Sequence, residues 1–162
     1  MNNSRRVLLI GGIALTLLGM AHGLWYAVFA EHQALQGMGS SLSAAFSAAA
    51  LRNTAEQQHT MDQYRQTKFV YDREVDAHGH WIGLGLLLMV LSISVNRVSF
   101  SNQLRLLLAW GLSAGCLLFP LGVLLQTANH GAMPQAIAVA GSGLIIVALT
   151  GITIGLARPQ SN

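Results

Sequence analysis

The sequence predicts an all-α membrane protein: a four-transmembrane-helix bundle with a long, partly helical extracytoplasmic segment between helices 1 and 2. Three observations carry that expectation. Of 162 residues, 52% are apolar and only 9% charged, whereas an ordinary soluble domain has roughly a quarter of its residues charged. Four stretches are long and apolar enough for a helix to cross the hydrocarbon of a bilayer, which takes about 20 residues. All six acidic residues, Glu31, Glu56, Asp62, Asp72, Glu74 and Asp76, fall within one segment, 31–76.

The spans follow from the apolar runs at about 7–30, 79–96, 104–126 and 136–157, and the whole chain, 1–162, reads as a single integral membrane domain. Lipid offers the backbone no hydrogen-bonding partner, so a spanning segment is a helix or a strand of a closed barrel. None of the runs alternates as a barrel strand does. The first run follows Arg5 and Arg6 and resembles a signal peptide in outline, but its apolar part exceeds the usual h-region of about 7 to 15 residues. It is therefore expected to be retained. Lys and Arg favour the cytoplasmic side. Arg5, Arg6, Arg97, Arg105 and Arg158 share one side if both termini are cytoplasmic. The expected location is an integral membrane protein of a bacterial inner membrane, with the lipid bilayer as its first partner.

Within the 31–76 segment, Gly37-Met38-Gly39 followed by Ser40-Ser41 reads as a break and a helix cap. From Leu42 to about Val70 there is no Pro or Gly, which favours one helix or two helical pieces. Beyond it the composition turns polar, and Asp72, Arg73, Glu74 and Asp76 suit a solvated face. The formal charge of +3 comes without any run or stripe of basic residues, so nucleic acid is not an expected partner. A homo-oligomer or a place in a larger membrane complex, with 31–76 as the docking surface, stays open.

Ionisable groups inside membrane segments are costly and usually functional, and here the candidates are histidines. His22 lies 15 residues after Val7, about 22 Å along a helix, in the outer third of the first span. His78 and His80 open the second span from the same side, and His130 follows the third. Imidazole nitrogen ligates haem iron, copper and zinc. The expected cofactor is haem b held by His22, His78 and His80. A copper or zinc ion bound by His22, His78, His80 and His130 is the alternative. His78 and His80 are two residues apart, so on a helix they point about 200° from each other and at most one faces a given haem. Glu74 and Asp76 stand one turn before them, placed to accept the other ring N–H. The same side chains also suit plainer roles: His22 bonded to a carbonyl, His78 and His80 in a wet cap, His130 in a loop. Cys116, the one cysteine, sits among apolar neighbours and offers no disulfide.

Glycine frames these histidines, in Gly19-Met20-Ala21-His22-Gly23 and Gly79-His80-Trp81-Ile82-Gly83. Small residues four apart let helices touch or leave room for a flat macrocycle. The run Ala77-His78-Gly79-His80-Trp81-Ile82-Gly83-Leu84-Gly85 resembles the Ala-His-x-His segment of small membrane proteins related to haem-copper oxidase subunit I. It is also similar to the Ala-His start of the second helix in the styrene oxide isomerase family, four-helix membrane proteins that hold haem b. Leu17 to Trp25, Arg105-Leu106-Leu107 and Asn129-x-Gly131 fit the same layout. The resemblance implies a haem ligand at His78, with His80 as the extra histidine of the oxidase-like relatives. The sequence departs from the isomerase pattern in having no asparagine in 81–91 and no tyrosine in 116–125. Six-coordinate iron in electron transfer or sensing is the first expectation. A haem-dependent, isomerase-like enzyme and an accessory or assembly subunit are the alternatives.

Overall fold

The computed structural model describes residues 2–129 and 131–158. Five helices account for nearly all of them: α1 (Asn3–Phe29), α2 (Glu31–Ala50), α3 (Thr54–Ser94), α4 (Asn102–Leu125) and α5 (Ala132–Ala157), with a short 3₁₀ turn at Val95–Arg97. Four are long and apolar enough to cross a membrane: α1, α3 through its apolar half, α4 and α5. Their surfaces agree with that environment. Ile10, Leu17, Leu24, Val90, Ile93, Val139, Ile146 and Val147 are each more than 60% exposed. So large a spread of open apolar surface suits lipid and is foreign to a water-soluble monomer.

α3, 41 residues long, organises the molecule. Its polar half carries Glu56, Asp62, Arg65, Lys68, Asp72, Arg73, Glu74 and Asp76, and after Asp76 it runs without an Asp, Glu, Lys or Arg to Ser94. At about 1.5 Å per residue it is roughly 60 Å long, twice what a bilayer's hydrocarbon requires. The apolar half packs antiparallel on α1, the polar half on α2, and α4 lies against both α1 and α3 with α5 paired to α4.

Glycines set how closely the apolar helices approach. A Cβ on Gly12 would stand 2.6 Å from the Gly85 carbonyl, and one on Gly85 would stand 2.7 Å from the Gly12 carbonyl, so α1 and α3 meet backbone to backbone. Gly115, Gly122 and Gly141 do the same for α4 and α5. There the buried Pro120 of α4 removes one helical N–H. Leu8, Leu15, Trp81, Leu88, Leu112, Cys116 and Ile152 fill the space between the pairs. At one end the termini gather on the 95–101 connection: Asn2 donates to Asn102 (3.4 Å), Ser99 to the Arg158 carbonyl (3.2 Å) and Arg105 to the Asn96 carbonyl (3.2 Å).

The expected break at Gly37–Gly39 does not occur. α2 runs through it, with the Ser40 and Ser41 hydroxyls donating back to the Gly37 carbonyl at 3.0 and 2.8 Å inside the helix. The turn comes later, at Leu51–Asn53, where Arg52 takes a left-handed φ of 57°. Asn53 then caps α3 by accepting from the Glu56 amide at 3.2 Å. The segment expected as a distinct piece between two spans is thus α2 together with the first half of the same helix that supplies the second span. α1 and α2 are separated at Ala30, whose φ and ψ are −125° and −33°.

Candidate functional site

His22 and Glu74 form an ion pair that ties two different helices. His22 Nε2 of α1 lies 3.0 Å from Glu74 Oε2 of α3, and their side chains are only 14% and 13% exposed. The pairing follows from register: α1 and α3 run antiparallel from the Gly12–Gly85 contact, which brings residues 22 and 74 level. The imidazole is boxed by rings. Trp81 meets it edge-on with centroids 5.6 Å apart, and Trp25 lies at 6.1 Å, tilted by 36°. One turn further along α1, buried Tyr26 packs on Tyr71 of α3, centroids 6.2 Å apart.

Several polar atoms here are buried with no hydrogen-bonding partner in the protein: His22 Nδ1, the Tyr26 hydroxyl and Arg73 Nε. An unsatisfied buried polar group costs about 1 to 3 kcal/mol, so a concentration of them in one place makes this level of the bundle costly to bury. The geometry at Glu74 Oε2 is that of a close charge contact; it lies within ion-pair distance of His22 without the alignment of a hydrogen bond.

Glu74 therefore serves His22, where the sequence placed it beside His78. The acceptors for the second-span histidines are backbone carbonyls one turn back. His78 Nδ1 lies 3.2 Å from the Glu74 carbonyl and His80 Nδ1 lies 2.6 Å from the Asp76 carbonyl. Asp76 itself turns towards Arg73, at 3.9 Å. His78 faces α1, its ring filling the space over Gly23, where a Cβ would meet His78 Cδ2 at 3.1 Å. His80 faces the other way, its ring edge-on to Phe119 of α4 at 5.0 Å. His22 and His78 are thus neighbours on the α1–α3 face, linked through residue 74, and His80 is not with them. His130 lies outside the described residues. His32 and His59 are exposed, and His59 contacts only Gln63 at 3.1 Å.

This arrangement decides which histidines suit a haem or a metal ion. Among the described residues no group of three or more His, Cys, Asp and Glu side chains is placed to hold a metal. A macrocycle between His22 and His78 does not fit: α1 and α3 touch there, a Cβ on Gly19 standing 3.0 Å from the His78 carbonyl, and His22 Nε2 is taken by Glu74. His80 fits better as a single ligand. Nδ1–H donation to the Asp76 carbonyl leaves Nε2 bare, the tautomer that binds metals. It edges a groove of about 340 Å³ lined by Val75, Asp76, Gly79, Gly83 and Leu84. Beyond both glycines the space is open.

The sequence did not single out Tyr71, or Tyr26 as a partner for it. A usable signal existed, since Tyr26 follows His22 by four residues and Tyr71 precedes Glu74 by three, which puts each on the same helix face as the charged group. No family model, curated protein or solved structure matches this chain.

Proposed function

We propose that the protein is a membrane-embedded proton sensor whose sensing site is the His22–Glu74 pair, set near the extracytoplasmic boundary. The observation that carries this reading is the pair itself: an imidazole and a carboxylate 3.0 Å apart, about six-sevenths buried, between apolar α1 and the end of the polar half of α3. Two charges removed from water are expensive, and well-packed apolar residues in their place are often as stable or more so. At the edge of a membrane segment that expense points to use. Histidine is the side chain whose unperturbed charge change falls between about pH 5 and 8. The orientation is supported by Arg5, Arg6, Arg97, Arg105 and Arg158, all at the end where the termini and the 95–101 connection meet, which the preference of basic residues makes cytoplasmic.

Trp81 supplies the test. Its indole meets the His22 ring at 5.6 Å, and an imidazolium at that range quenches indole emission. With Trp25→Phe and Trp110→Phe, leaving Trp81 alone, the protein in lipid nanodiscs gives a single sigmoidal emission change with pH. His22→Gln abolishes the change and His78→Gln keeps it. Flat emission in the His22 protein, or an unchanged transition in His22→Gln, removes the proposal.

A second reading rests on His80, whose bare Nε2 edges the glycine-floored groove. Haem b held by His80 would supply one-electron chemistry, with Gly79 and Gly83 admitting the flat ring and Asp76 fixing the imidazole through its carbonyl. Protein purified with haem available then shows a Soret band that His80→Ala removes and His22→Ala retains. A band indifferent to His80, or no band, ends this reading. Isomerase-like chemistry and an accessory role in a larger complex have no residue of this site that favours them over sensing.

A further inference from the structure

We infer that one side of α2 is a dimer surface, which packs in parallel against the same side of α2 in a second copy of this chain, clear of the membrane. The inference stands apart from the His22–Glu74 reading and uses none of its residues.

The hold of α3 on α2 is too slight to account for the helix. α2 contains Gly37, Gly39 and four serines, all weaker helix formers than alanine, and helices in proteins draw most of their stability from packing. On the α3 side only Ala45 and Ala48 are buried, with Ala34, Met38 and Ser41 half covered. Leu35, Leu42, Phe46 and Ala49 each come one residue after a member of that row, so they form a second stripe about 100° further round the helix. Their spacing, seven, four and three, is the period of a coiled-coil seam. The stripe is open: Leu35 is 49% and Phe46 69% exposed. The opposite flank, Gln33, Ser40 and Ser47, is polar and exposed. α2 thus has one apolar side that α3 does not cover.

Symmetry and charge say what covers it. Copies inserted the same way into one bilayer are related by a two-fold axis along the membrane normal. α2 runs along the polar half of α3, away from the bilayer, so two copies of α2 meeting at that axis lie parallel and each residue opposes its own twin. A charged face would then repel itself. From Gln33 to Leu51 there is no ionisable side chain, whereas the half of α3 beside it carries Glu56, Asp62, Arg65 and Lys68. The stretch free of charge is the one that can face its own copy, with Phe46 against Phe46 and the charged half of α3 outside. Lipid does not reach the stripe, because Gly37 lies against Thr67 and so sets this part of α2 level with Arg65 and Lys68.

Size fixes where the contact works. Two stripes about 30 Å long and about 10 Å wide bury on the order of 300 Å² on each copy, less than half of the roughly 800 Å² usual in a stable soluble dimer. Chains anchored in one bilayer meet at high effective concentration, so this surface serves in the membrane and fails in dilute detergent.

The experiment is therefore made on the full chain in the membranes of the cells that express it, where all copies face the same way. Cys116→Ser removes the native thiol, and single cysteines are introduced on the stripe (Leu35→Cys, Phe46→Cys, Ala49→Cys), on the flank (Gln33→Cys, Ser40→Cys, Ser47→Cys) and on lipid-facing α5 (Val147→Cys). A disulfide needs its Cα atoms within about 7 Å. Copper phenanthroline is expected to give a band of twice the chain's mass from each stripe cysteine, several times stronger than from the flank or from Val147→Cys, which reports chance collision. Phe46→Glu and Phe46→Lys, each combined with Ala49→Cys, place like charges at the axis and should each lower that band by about 10-fold or more. Phe46 is exposed in the single chain, and unchanged helical circular dichroism checks that both variants fold. Co-expression of the two restores the band. Equal bands from stripe and flank, a stripe that gives no band, or a stripe cross-linked to a protein of another mass each overturns the proposal. So does a bimane label on Phe46→Cys that reports lipid around it without a cross-link, or a Glu and Lys mixture that fails to recover.

Discussion

Small residues line both halves of the long hairpin, and they do opposite things. In the apolar half, Gly12, Gly19 and Gly85 let α1 and α3 touch along their backbones, so the missing side chains are the contact. In the polar half, Gly37, Gly39 and the alanines of α2 leave the helix lightly held: Gly37 meets only Thr67 at ordinary distance, and Gly39 has nothing near it. Without a hydrophobic force between helices in lipid, close backbone approach is what binds them. In water, burial of apolar area binds helices, and a methyl group provides little of it. A single helix, α3, thus takes part in one strong and one weak interface, and the ionisable pair sits where they meet.

The sharpest way to break this contrast is at its tightest point. A Cβ on Gly85 would strike the Thr16 side chain and stand 2.7 Å from the Gly12 carbonyl and 2.9 Å from the Thr16 amide. Backbone atoms cannot turn away, so the helices must separate. Gly85→Ala is expected to lower stability by about 2 to 3 kcal/mol, in the range of other overpacked cores, and the melting temperature in detergent by on the order of 5 to 10 °C. Gly83→Ala, two residues away on the same helix, faces open space and should leave the melting temperature at or above that of the parent. Equal losses from both would mean that helix propensity, not the lock, is being measured.

How much of this could be read beforehand differs between the same two halves. The spans were legible because lipid imposes one rule on every residue: α4 and α5 begin at Asn102 and Ala132, within a turn or so of the expected 104 and 136. The hairpin was not, because Gly37–Gly39 reads as a breaker by local propensity, while Ser40 and Ser41 satisfy their hydroxyls within the helix and let it continue. The true turn at Leu51–Asn53 carried a cap, Asn53, that a search for serine caps at 40–41 passed over. In the site, His22, His78 and Glu74 were named but wrongly paired. A spacing of four on one helix suggests Glu74 with His78, yet the register of two helices, fixed 11 residues away at Gly85, hands Glu74 to His22. Sequence spacing speaks for one helix at a time.

A medium effect tests the hairpin's turn. The Asn53 side chain accepts from the Glu56 amide at 3.2 Å, and no neighbouring helix shares that bond. Asn53→Ala should cost about 1 kcal/mol, the usual value of such a cap. The loss should appear as faster amide exchange over the first turns of α3 and in α2, with the Gly12–Gly85 region unaffected.

The smallest effect sharpens the contrast most, because its sign reverses. Gly39 lies inside α2, exposed, with helical φ, and a Cβ there meets nothing within 4 Å. Glycine in a helix interior is less favourable than alanine by about 0.5 to 1 kcal/mol, since the unfolded chain loses more freedom on ordering. Gly39→Ala should therefore slow amide exchange throughout α2 by about 2- to 5-fold, while exchange over the facing half of α3 stays as in the parent. The change strengthens the helix and not its seat on α3, so slowing confined to α2 would show that the weak link lies at the interface. Slowing that extends into the facing half of α3 would place the weakness inside α2 itself.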